Sequence, residues 1–72
     1  MRWYIGCMYD FEYKAFRSDI TPTKNTHGYY MYAIGPFRTR RAAMWAEKYG
    51  QGNPHFTGVA AAERLSQRSN HG

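Results

Sequence analysis

From Trp3 to Ala15 the chain alternates. Trp3, Ile5, Cys7, Tyr9, Phe11, Tyr13 and Ala15 take the odd positions, and Tyr4, Gly6, Met8, Asp10, Glu12 and Lys14 the even ones. A period of two predicts strand, with the odd face on the core and the even face toward solvent or a partner. One straight strand from Arg2 to Arg17 would span about 50 Å at about 3.3 Å per residue, against a radius of gyration of about 11 Å for so small a domain. The chain must therefore bend or break. Gly6 or the Tyr9-Asp10-Phe11 region is the place for a bulge or irregular turn, which predicts two strands, or one kinked strand, over about 2–8 and 11–17. Residues 18–28, SDITPTKNTHG, form a polar run of turn-forming residues and read as a loop. A third strand follows over 29–35, YYMYAIG. Its non-glycine residues are all apolar or aromatic, so both faces are covered or one is used for binding, and Gly35-Pro36 ends it.

The period then changes to that of a helix. Thr39 as N-cap and Gly50 as a left-handed C′ residue bracket a helix over about 40–49. Ala42, Trp45, Ala46 and Tyr49 form one apolar stripe with Trp45 as its main core anchor, and Arg40, Arg41, Met44, Glu47 and Lys48 lie on the other side. After the turn formers at 51–54, residues 55–59 read either as a short edge strand or as a loop that drops Phe56 into the core. A second helix is expected over about 59–68. Gly58, Ala61, Ala62 and Leu65 would face inward, and Arg64, Gln67 and Arg68 outward. Residues 69–72, SNHG, should fray. The predicted order is β-β-β-α-(β)-α in a single domain over 1–72. This is an α+β fold whose antiparallel sheet of two to four strands packs one face on two helices.

Composition sharpens this picture in two ways. Aromatic residues are 18% of a 72-residue chain, more rings than so small a core can hold, so some must lie at the surface, where Tyr, Trp and Arg dominate binding hot spots. Ten Lys and Arg against five Asp and Glu leave a net charge of +5, which favours nucleic acid, anionic lipid or acidic protein as partner. A single cysteine, Cys7, excludes an internal disulfide and makes a cytoplasmic setting the default; on the odd face it reads as a small buried residue rather than a nucleophile. No secretory leader is visible and no apolar run approaches the roughly 18 residues of a membrane helix, so no membrane partner is expected.

The helix start carries Arg38, Arg40 and Arg41 and no acid until Glu47, although a helix N-terminus favours negative charge. Either these are solvated arginines screened by salt, or they and the free N–H groups form a seat for a phosphate or for carboxylates of an acidic partner. Met44, between Arg40, Arg41 and Lys48, is either an adaptable apolar point in a basic ring or a lone surface methionine. Basic residues interleaved with aromatics also suit DNA or RNA, with Tyr4, Tyr30 and Tyr32 as candidate stacking groups, unless the strands simply favour aromatics. Asp10 and Glu12, about 7 Å apart on one strand face, are the only candidate acid–base pair. With few acids, no His placed beside Cys7 or a serine and little room for a pocket, a non-catalytic protein is expected. His27, His55 and His71 are too scattered for a metal site, and no cofactor motif is present.

Residues 29–65, with the run YAIGPFRTRRAAMWAEKYGQGNPHFTGVAAAERL, resemble the short, basic accessory proteins of tailed phages and prophages. That size class includes inhibitors of host defence, anti-CRISPR proteins among them. The resemblance implies a non-catalytic protein that docks on a host protein or ribonucleoprotein complex, in the bacterial cytoplasm, and blocks it through Arg38, Arg40, Arg41, Met44 and Lys48. Direct binding of DNA or RNA through the same arginines is the alternative. The strand-Gly-Pro-Phe-x-Thr-helix piece over about 30–49 is also similar to part of the SPOR peptidoglycan-binding domain. Two strand segments before the first helix, and no final strand after the second, depart from that pattern.

Overall fold

Strand β1 (Arg2–Cys7) lies between β2 (Tyr13–Ser18) and β3 (Tyr32–Phe37) in an antiparallel sheet of order β2-β1-β3 in this computed structural model, which describes residues 1–69. Helices α1 (Arg40–Tyr49) and α2 (Val59–Ser69) follow, completing the expected α+β fold. The break predicted between the first two strands is an irregular turn over 8–12. Met8 N–H donates to the Glu12 carbonyl at 2.8 Å, Phe11 N–H to the Met8 carbonyl at 2.9 Å, and Phe11 takes φ 70°.

One face of the sheet meets the helices. Ile5 and Phe37 are buried with Ala42, Ala43 and Ala46 of α1 and Ala62 of α2, and Trp3, Tyr13, Ala15, Ile34, Trp45, Phe56 and Val59 pack around them. Alanine on both helices lets them approach each other and the sheet closely. Gly58 precedes α2, Ala61 and Ala62 are buried as expected, and Ser66, not foreseen on the inner face, is buried with its hydroxyl donating to the Glu63 carbonyl at 3.1 Å.

The other face of β1, expected to meet solvent or a partner, is covered as well. Tyr4 is only 5% exposed and stacks on Phe16, and Phe16 stacks on Tyr30, which arrives from the loop before β3. A Cβ on Gly6 would overlap the Tyr30 ring, so the glycine is the seat for that ring. His27, at the end of the polar loop run, lies half-buried beside Phe16 and Tyr30. The third strand consequently starts later than predicted. Residues 29–31 belong to this covering loop, held by Tyr30 N–H on the His27 carbonyl at 3.0 Å and Met31 N–H on the Cys7 carbonyl at 2.6 Å. The strand also runs through Gly35-Pro36 rather than ending there. A bulge puts both residues opposite Tyr4, between the pairs Trp3–Phe37 and Ile5–Ile34. Gly35 has no side chain because a Cβ there would lie 2.6 Å from the Tyr4 ring.

α1 has the predicted bounds, with the Thr39 hydroxyl accepting from Ala42 N–H at 3.1 Å. Its end differs. Gly50 is right-handed helical (φ −75°, ψ −35°), and a Cβ there would lie 2.6 Å from the Ala46 carbonyl oxygen and 2.9 Å from the Phe56 ring. The helix is anchored by Ala42, Ala43 and Ala46, not chiefly by Trp45, which is half-buried with its ring edge-on to Phe56. Tyr49, assigned to the apolar stripe, is 50% exposed. Residues 55–58 form no strand; the segment is the loop that places Phe56 between Phe37, Trp45 and Tyr13. The frayed tail expected over 69–72 falls outside the described residues beyond Ser69, which still closes α2.

Candidate docking face

Arg40, Arg41, Met44 and Lys48 share the outer face of α1, opposite its buried alanines. Their spacing of three, four and seven residues brings them side by side on a helix. Met44 is 37% exposed at the centre, and the Lys48 ammonium lies 5.4 Å from the centroid of the Tyr49 ring, whose exposure extends the patch. Arg38 stands apart. It precedes the N-cap and lines a groove with Arg2 and Trp3 at the end of the sheet.

The anion seat predicted at the helix start exists, and the chain fills it itself. Glu63 of α2 accepts Arg38 N–H at 2.7 Å and Thr39 N–H at 3.1 Å on Oε1, and the Thr39 hydroxyl at 3.2 Å on Oε2. The acid missing from the first turn is thus supplied from the second helix. Glu47, expected on the outer side of α1, turns to the sheet edge and accepts Ala15 N–H from β2 at 2.9 Å. The other acids are engaged away from α1. Asp10 accepts Glu12 N–H at 3.0 Å, Glu12 pairs with Lys14 at 3.1 Å, and Asp19 pairs with the N-terminal amine at 3.7 Å. Each of the five acids makes at least one of these contacts, and Arg40, Arg41 and Lys48 surround one thioether on the outer face of α1. Asp10 and Glu12 sit on the exposed turn between β1 and β2.

Of the three candidate stacking tyrosines, Tyr4 and Tyr30 are 5% and 9% exposed and are packed into the covered face, so they are not available to bases. Tyr32 remains accessible at 45%. Its hydroxyl lies 3.3 Å from that of Tyr13; this hydrogen bond, then the Cys7 thiol and partial burial, raise its pKa well above the usual tyrosine value. Cys7 itself is buried. A cavity of about 230 Å³ beside Tyr32 is lined by Lys24, His27, Tyr30 and Met31, and Lys24 there donates to the Met31 carbonyl at 2.8 Å and the Tyr9 hydroxyl at 3.3 Å. Among the described residues no cluster of His, Cys, Asp and Glu could hold a metal ion, and no helix is long and apolar enough to cross a membrane.

Sequence reasoning missed the roles of Glu63 and Glu47 because both contacts are tertiary. The only local trace was the lack of acid in the first turn of α1. It also missed Arg2 and Arg17, which strand pairing brings to the end of the sheet: Arg2 opposite Ser18, and Trp3 opposite Arg17. Comparison with protein-family models, curated proteins and solved structures finds no significant match for this chain.

Proposed function

We propose that this is a non-catalytic binding protein of phage type that docks the outer face of α1 on an acidic surface of a host nucleic-acid-handling complex, a defence effector, and blocks it. One observation carries the reading: Arg40, Arg41, Met44 and Lys48 lie together on an exposed helix face while Glu47 and Glu63 are turned onto backbone N–H groups elsewhere. Complementary charge at the rim of such a contact speeds and orients association, and a central apolar side chain supplies the desolvated anchor. Methionine suits that place because its unbranched thioether adapts to an irregular pocket. The resemblance to short basic phage proteins supplies the biological setting. Burial of Tyr4 and Tyr30 favours protein docking over direct stacking of bases on the sheet.

The test is affinity capture from host lysate with the whole chain as bait. A stoichiometric partner is expected, released by salt, and the Arg40→Glu/Arg41→Glu double variant should lose it while keeping its circular dichroism spectrum and melting transition. Capture that survives the double reversal, or Met44→Ala without effect on affinity, overturns the reading.

A further inference from the structure

Where β1 begins and β3 ends, Met1, Arg2, Trp3, Pro36, Phe37 and Arg38 line a groove of about 380 Å³. That volume lies in the range of small-ligand sites, roughly 300–1,000 Å³. Arg2 and Arg38 line the groove with Trp3, Pro36 and the edge of the largely buried Phe37. A third arginine, Arg17 of β2, lies over the indole, 5.7 Å from the ring centroid, because the sheet pairs Trp3 with Arg17. Three arginines far apart in sequence thus come to one end of the sheet, Arg2 and Arg38 lining the groove and Arg17 beside it on the indole. Two carboxylates are near and neither lines the groove: Asp19 pairs with the Met1 amine, and Glu63 is held by the backbone of Arg38 and Thr39.

We infer that this groove seats one nucleotide of a single-stranded nucleic acid. The flanking phosphates lie on the forks of Arg2 and Arg38, whose paired N–H donors match phosphate oxygens. The base packs against the Trp3–Arg17 pair, since unpaired bases stack on aromatic rings and on guanidinium planes alike. The indole favours this occupant over an acidic peptide, which has no ring to place there, and the single-nucleotide size favours a single strand over a duplex, whose bases are already stacked. The site is separate from the α1 face and does not rest on the docking reading.

Fluorescence anisotropy with a labelled single strand of about ten nucleotides tests it, with the matching duplex and a glutamate peptide of equal length as comparisons. The single strand should bind most tightly at low salt, with log affinity falling against log salt at a slope of roughly −1.4 for two neutralised phosphates. Arg2→Ala/Arg38→Ala should weaken it about tenfold or more, and Arg2→Lys/Arg38→Lys, which keeps charge and loses the fork, by a smaller but measurable factor. Met44→Ala/Lys48→Ala should leave it unchanged, and Arg2→Ala/Arg38→Ala should leave capture of the protein partner unchanged, so the two sites fail or stand separately. Absence of single-strand binding at low salt, wild-type affinity in both arginine pairs, or equal affinity for the glutamate peptide overturns the assignment.

Discussion

The hydroxyl of Thr39 joins the two helices through Glu63: it donates to the Glu63 carboxylate at 3.2 Å while accepting from Ala42 N–H at 3.1 Å. Glu63 also takes the Thr39 and Arg38 backbone N–H groups. One carboxylate therefore completes the N-cap of α1, supplies negative charge at the helix start and ties α2 to it.

That arrangement predicts strong coupling between the two positions. Thr39→Ala should cost about 1 kcal/mol, the usual loss of an N-cap. Glu63→Ala should cost about 1–2 kcal/mol, at the low end for charge-assisted hydrogen bonds because the pair is partly solvated. The double variant should lose about 0.5–1 kcal/mol less than the sum, the behaviour of residues in one network. Thermal melts of the four proteins measure this, each kcal/mol moving the midpoint by roughly 4–8 °C in a domain of this size. Simple additivity would mean that Glu63 does not act through Thr39.

The legible parts of the fold are those whose cause is local. α1 could be bounded from sequence because a threonine cap and an alanine-rich period of 3.6 residues lie within one stretch. Gly50 was placed correctly as the stop but in the wrong conformation, since what excludes a side chain there is the Ala46 carbonyl and the Phe56 ring and not a left-handed turn. The even positions of β1 look amphipathic in sequence, and nothing local says that Tyr30 returns to cover them. The charge anomaly at the start of α1 was legible; its resolution was not, because Glu63 comes 24 residues after Thr39. Strand pairing likewise hid the arginine groove, whose lining comes from the start of β1 and the end of β3, with Arg17 of β2 beside it.

Close approach of Tyr30 to Gly6 gives a second prediction. Gly6→Ala should destabilise by about 1–3 kcal/mol, the range for overpacking, because the new methyl meets the ring. In a Tyr30→Ala background the same change should cost little or nothing. Denaturant midpoints of the single and double variants decide it. A Gly6→Ala penalty that persists without the Tyr30 ring would place the strain in the backbone instead.

Stability should fall at alkaline pH. The hydrogen bond between the Tyr32 and Tyr13 hydroxyls raises the Tyr32 pKa first, with Cys7 and burial adding to it, and burial raises that of Tyr30. A folded pKa above the unfolded value of about 10 means stability is fully present below pH 10 and is lost as pH climbs past it, where only the unfolded chain releases the proton. Lys14, raised by its hydrogen bond to Glu12, acts in the same direction. Denaturant midpoints across this range should decline with pH, and Tyr13→Phe should flatten the decline. An unchanged slope in Tyr13→Phe would remove the Tyr13–Tyr32 contact as its cause.

The docking face should be separable from the fold. Arg40 opens α1, exposed, at a helix end that favours negative charge by about 0.3–1 kcal/mol. Replacing it with glutamate gains that term and meets some repulsion from Glu63, which already occupies the cap. The net change in stability should stay within about 0.5 kcal/mol, as for surface substitutions away from buried features. Partner affinity should fall at least tenfold, mostly through slower association, because reversing a rim charge acts on the long-range attraction. Melting curves and stopped-flow association at two salt concentrations separate the effects. A large loss of stability in Arg40→Glu would make the arginine a structural element of the cap, and the basic face of α1 would then owe its charge to folding.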